Sequence, residues 1–292
     1  MLFRSAALQK AAEALEQAYK GRHRIEFYGV GNSGIVAQDA QHKFFRLGVH
    51  TIAHSDGHLQ VMSAGLLQPG DEVLIPDNVY GPMKVLAGGE LRHWQISHRY
   101  YDPMSVQDLV DKITDKTRLI WLEAPGSVTL EFPDLLAMVR AARQAGVLTV
   151  LDNTWGAGLA FSAFDLVPSS GETLGVDVSV HALTKYPSGG GDVLMGSVTT
   201  VNEALHMKLK LCHMRLGLGV GMNDVEAVLR SLPSIGLRYN AQDACARQLA
   251  QWCSDRSNFA QILHPCLPHS PGHTHWQALT GGLMGKAAGL FS

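Results

Sequence analysis

Residues 147 to 155 read Val-Leu-Thr-Val-Leu-Asp-Asn-Thr-Trp, an apolar run without alternation that is closed by a carboxylate. A strand solvated on one face alternates apolar with polar side chains. One that does not must be covered on both faces, as parallel strands inside an α/β layer are. Similar runs occur at Asp71-Glu-Val-Leu-Ile-Pro and Thr117-Arg-Leu-Ile-Trp-Leu, and Leu91-Arg-His-Trp-Gln-Ile also reads as a strand. Between them lie helical patterns, over Val106 to Ile113 and over Phe132 to Gln144, where Leu135, Leu136, Val139 and Ala142 fall at helical spacing. Segments of this length in alternation imply right-handed crossovers. The predicted fold is therefore α/β, a mostly parallel sheet with helices on both faces.

Ligands of open α/β sheets collect at the carboxyl ends of the strands, where Asp152 falls. Further on, Asp177 to Met195 reads as a strand-like run ending in Thr184-Lys185-Tyr186, followed by Gly189-Gly190-Gly191. Glycines there let the backbone turn closely around whatever the lysine reaches. A lysine in a partly desolvated site becomes a nucleophile that can form a Schiff base with a carbonyl cofactor, and pyridoxal phosphate is the commonest one. A carboxylate beside it can pair with the protonated pyridine nitrogen of that cofactor. Two plainer readings stay open from the residues alone: Lys185 as a solvated surface lysine, and Asp152 as the N-cap of a following helix.

The motifs, taken in order, go further. Asn78-Val-Tyr80-Gly-Pro, Leu122-Glu-Ala-Pro-Gly-Ser127, Leu151-Asp-Asn-Thr-Trp155 and Thr184-Lys-Tyr186 resemble the cysteine and methionine metabolism family of pyridoxal phosphate enzymes. The Asp-Asn-Thr-Trp form, His264-Pro-Cys-Leu-Pro, Gly272-His273 and Trp276 are similar to its β-lyase branch. The resemblance covers about residues 66 to 292. It implies the large domain of an aspartate aminotransferase-type, fold type I transferase, acting on cystathionine or cysteine by α-proton abstraction and loss of a β-thiolate. Under it, Lys185 would carry the cofactor and move the α-proton, Asp152 would pair with the pyridine nitrogen, Tyr80 would stack on the ring, and Thr184 would bond the phosphate. Ala182 stands where the family usually has a second hydroxyl, so one phosphate contact is expected to be missing. The resemblance also implies a homo-oligomer with active sites shared between subunits. The resemblance further implies that the C-terminal domain, whose arginine binds the substrate carboxylate, is missing, so weak activity is expected from poorly oriented substrate.

Nothing in composition contradicts a cytoplasmic metabolic enzyme. The 292 residues are 46% hydrophobic, enough for a sizeable core, and a net charge of −2 gives no argument for nucleic acid or a membrane surface. No run approaches the ~20 apolar residues of a membrane span. The start of the chain shows no secretory signal pattern. Cys212, Cys245, Cys253 and Cys266 have no paired spacing and read as free thiols, while His181 and His213 lack the partners of a metal site.

The first 66 residues read differently from the rest. After a helical stretch over Ala6 to Tyr19, a strand runs into Gly29-Val-Gly-Asn-Ser-Gly34 and a helix over Val36 to Phe45, with Asp56 beyond. The spacing satisfies a dinucleotide fingerprint. However, Tyr28 to Gly34, Ala40-Gln-His-Lys-Phe-Phe-Arg-Leu-Gly48 and His54-Ser-Asp-Gly-His-Leu-Gln-Val-Met-Ser63 resemble the sugar isomerase (SIS) domain of RpiR-type regulators. That resemblance covers about residues 5 to 67, half of such a domain, and implies a sugar-phosphate site at Ser33. Ser33 can equally be a helix N-cap with no ligand. The expected division is a partial SIS-like βαβα segment over 1–66 and the pyridoxal phosphate-type large domain over 67–292. Gly57 could offer helix-start amides to a phosphate.

Overall fold

In a computed structural model of the chain, residues 6–21, 25–28, 44, 49, 51–54, 67–168, 171–281 and 285–292 are described. The Gly29 to Gly34 turn, Ser33, the 36–45 helix, Asp56 and Gly57 lie outside them, except Phe44.

The described strands form two sheets. Helix α1 (Ala6–Lys20) precedes β1 (Ile25–Tyr28) and β2 (Thr51–His54), which pair in parallel as a two-stranded sheet. From Glu72 onward a second sheet takes the order β4-β3-β5-β6-β7-β8. Its strands are β3 (Glu72–Pro76), β4 (Ser97–Tyr101), β5 (Thr117–Glu123), β6 (Leu148–Asp152), β7 (Val178–Ala182) and β8 (Gly196–Thr199). Every pair in it is parallel except β7 with β8.

The apolar runs are covered on both faces, and successive residues divide between two cores as the pleat requires. Ile120 and Leu122 of β5 join Leu74, Leu151 and Phe132 on one face. Helices α3 (Val106–Lys112), α4 (Leu135–Gln144) and α8 (His273–Thr280) cover that face through Leu109, Met138, Val139, Ala142 and Trp276. On the other face Leu119 and Trp121 join Val73, Ile75, Val150 and Val178 beneath Met83 and Leu86 of α2 (Gly81–Leu86) and Leu205 and Leu209 of α5 (Glu203–Leu216). Burying each such side chain fully contributes about 1.5–3 kcal/mol, which makes this layered core the main stabilising feature of the domain.

Some boundaries differ from the sequence reading. Residues 91–96 are not a strand: α2 passes into a π-helical turn, Ala87–Leu91, and the strand is Ser97–Tyr101. β4 pairs only with β3 at the edge of the sheet, and its residues run exposed, intermediate, intermediate, exposed, buried. It therefore carries Ser, His and Arg where a central strand would be apolar. Helix α4 starts at Leu135 because the Asp134 side chain caps it, accepting the Ala137 N–H at 3.0 Å. The strand before Lys185 ends at Ala182, so Thr184 and Lys185 lie in the turn that follows. Toward the C-terminus α6 (Met222–Ser231) is followed by a 3-10 turn carrying Pro233 and by α7 (Ile235–Ser254).

Candidate active site

Four of the parallel strands bring chemistry to one edge. β3 leads to Tyr80, β5 ends in Glu123, β6 ends in Asp152, and the turn after β7 carries Lys185. β5 and β6 are in register there, with Glu123 beside Asp152, and Asp152 in turn stands beside Val180 of β7.

Of the four side chains expected at a cofactor site, Lys185 and Tyr80 face one another, while Asp152 and Thr184 lie at the carboxyl ends of the neighbouring strands, bonded locally. The Lys185 ammonium lies over the Tyr80 ring, 5.6 Å from its centroid. Asp152 is half-buried, and its Oδ1 accepts the Thr154 N–H at 2.9 Å. The N-cap reading of Asp152 is not met, since turns rather than a helix follow it; its carboxylate closes an Asx turn at the strand end instead. Thr184 is half-buried, and its hydroxyl spans the turn, donating to the Met195 carbonyl at 3.4 Å and accepting the Met195 N–H at 3.3 Å. The expectation of a desolvated lysine is not met: Lys185 is exposed, because it lies on the turn beyond β7 and is followed by Gly189 to Gly191. At Ala182 the backbone N–H donates to the Thr154 hydroxyl at 2.9 Å, tying β7 to the Asp152 loop.

Two residues with no role in the sequence reading hold this arrangement. Arg238 of α7 donates to the Tyr186 carbonyl at 2.6 Å and to Ser231 and Ser234, which fixes the turn just beyond Lys185. Gly189, at φ +79°, makes room for it: a Cβ there would lie 2.6 Å from Ser231 Oγ and 2.9 Å from the Arg238 guanidinium carbon. Glu123 is only 6% exposed, and its carboxylate accepts the N–H groups of Tyr80 at 3.1 Å and Ser127 at 3.2 Å. Burial, with the negative charge of Asp152 added, pushes its carboxyl up to about 7. His181, one strand further along, is held below its ordinary value by burial, against the pull of Asp152. The signal for Glu123 was available in sequence, since it ends a buried strand as Asp152 does. The signal for Arg238 was not, its partner being 52 residues away.

Among the described residues no group of three or more His, Cys, Asp or Glu could hold a metal ion, and no helix is long and apolar enough to cross a membrane.

An amine facing an aromatic ring, a carboxylate on the neighbouring strand end and a hydroxyl on the same turn form a donor set that fits pyridoxal phosphate. The fold and site thus define an α/β protein of the pyridoxal phosphate type. The chain belongs to the Cys/Met metabolism PLP-dependent enzyme family, whose sequence profile matches residues 8–287. It is 32% identical over 292 residues to a putative cystathionine beta-lyase of Saccharomyces cerevisiae, covering 99% of this chain and 80% of that one. It is also 32% identical over 243 residues to the cystathionine beta-lyase of Bordetella avium, covering 82% of this chain but 59% of that one. In fold it is similar to the cystathionine gamma-lyase of Lactobacillus plantarum solved with L-serine, at a TM-score of 0.73 and 22% identity, over 81% of this chain and 59% of that one. Against two of these three proteins the chain thus spans little more than half the other's length. The profile match begins at residue 8 and runs through the N-terminal segment as well.

Proposed function

We propose that the chain is a pyridoxal phosphate-dependent carbon–sulfur β-lyase acting on cystathionine or cysteine. The observation that carries this reading is the Lys185 amine set 5.6 Å from the Tyr80 ring centroid, with Asp152 at the adjoining strand end. Bound there, the cofactor supplies a sink for the electron pair released at the substrate α-carbon. Lys185 Nζ would take the α-proton, and the pair left at the α-carbon would form the α,β double bond as the carbon–sulfur bond breaks and the sulfur leaves as a thiolate. Asp152 would hold a proton on the ring nitrogen, Tyr80 would offer its face for stacking, and the Thr184 hydroxyl would donate to a phosphate oxygen. The arrangement would work in the cytoplasm as a homo-oligomer. A coupled thiol assay with cystathionine and with cysteine tests it: thiol release that depends on Lys185 supports the reading, and none from either substrate counts against it.

A second reading concerns residues 1–66, kept apart from the 67–292 domain as a partial SIS-like segment that senses a sugar phosphate through Ser33. What favours it is the separate parallel pair β1 and β2, which lies outside the six-stranded sheet. A thermal shift with sugar phosphates, lost in Ser33→Ala, is the expected result, and no shift would remove this reading.

A further inference from the structure

The Leu122 to Ser127 motif contains a residue that the mechanism above leaves unused. Glu123 is 6% exposed, and among the described residues no lysine, arginine or histidine forms an ion pair with it. Burying a carboxylate without a cation is costly, and a chain that keeps one there must obtain something a neutral residue would not provide. What this carboxylate provides is accepting capacity. Its Oε1 accepts the Tyr80 N–H at 3.1 Å, and Oε2 stands 3.3 Å from the same nitrogen while accepting the Ser127 N–H at 3.2 Å. Tyr80 has φ −46° and ψ 129° and stands immediately before α2, whose first turn carries no side-chain cap. Glu123 therefore joins the end of β3 to the end of β5 at the residue whose ring faces Lys185. A glutamine keeps one acceptor oxygen, which at the Oε2 position would reach both donors, but it loses the second oxygen and the ionisable group, so it would hold the Tyr80 backbone more weakly.

We propose that Glu123 is a positioning residue: by fixing the Tyr80 backbone it places the Tyr80 ring opposite the Lys185 amine, making the ends of β3 and β5 one face for the cofactor. The inference deepens the cofactor reading and rests on it.

Two readouts test it. In cofactor-free protein, hydrogen exchange at the Tyr80 and Ser127 amides should quicken about tenfold or more in Glu123→Ala, and by less in Glu123→Gln, whose one acceptor oxygen still reaches both. In protein incubated with pyridoxal phosphate and dialysed, the visible absorption band should persist in Glu123→Ala while its circular dichroism falls at least twofold. That signal reports the asymmetric ring environment, which a general loss of stability would leave alone. Glu123→Gln, which keeps the side-chain volume, should show an intermediate dichroism, and it carries the test if the alanine variant fails to fold. Unchanged dichroism and unchanged exchange in both variants would overturn the role of Glu123 and leave the cofactor reading standing. No visible band in the unaltered protein would overturn the cofactor reading itself, and this role with it.

Discussion

Two buried glutamates sit at opposite ends of the same sheet, Glu72 at the start of β3 and Glu123 at the end of β5, and their surroundings have little in common. Glu72 is 8% exposed and accepts two bonds from the Arg99 guanidinium, at 2.8 and 2.7 Å, and one from the Thr117 hydroxyl at 3.0 Å. The Arg99 bonds hold its carboxyl below the usual range. Glu123, 6% exposed, has two backbone N–H groups and a neighbouring carboxylate instead of a cation, and its carboxyl is pushed up to about 7. At the amino ends of the strands charge is neutralised to hold the sheet together. At the carboxyl ends it is left unbalanced beside the residues proposed to handle a cofactor. Perturbed carboxyls gather where chemistry is done, and this contrast supports the proposal that puts it at the carboxyl ends of the strands.

The pH dependence of stability should divide along the same line. Glu123 binds its proton more tightly folded than unfolded, so the stability it contributes is present below about 4.5 and lost as pH rises through about 7, a change on the order of 3 kcal/mol at most. Urea unfolding at a series of pH values should show that loss in the unaltered protein and a flatter profile in Glu123→Gln; parallel profiles would erase the contrast. Glu72 has the opposite sign, with stability present above about 4.5 and lost as pH falls below it. Glu72→Ala should cost about 2 kcal/mol at neutral pH, read as a lower urea midpoint, because the buried Thr117 hydroxyl loses its acceptor. Asp177→Asn, at the same end of the sheet, should cost about 1 kcal/mol, since Asp177 accepts both the N–H and the hydroxyl of Thr149 at 2.8 Å. The Arg140–Glu172 pair, 2.7 Å apart with its side chains 44% and 41% exposed, is the other extreme, and Arg140→Ala should change stability by no more than about 0.5 kcal/mol.

The sheet was legible in sequence wherever a strand is covered on both faces, because there the apolar run cannot alternate: β3, β5 and β6 announce themselves. β4 did not. Its edge position leaves Ser97, His98 and Arg99 partly in solvent, and the nearby Leu91 and Ile96, both buried, gave a false strand signal from a helical turn. Asp152 and Lys185 could be picked out as side chains that close a strand or turn. The brace from Glu123 to Tyr80 could not, because it joins positions 43 residues apart that only the pairing of β3 with β5 brings together.

The most direct test of the account is the visible absorption spectrum of the protein after incubation with pyridoxal phosphate and dialysis, recorded beside Lys185→Ala. The account expects a retained yellow band that is absent from the variant. A band of equal strength in Lys185→Ala, or none in the unaltered protein, would contradict a cofactor site built on Lys185.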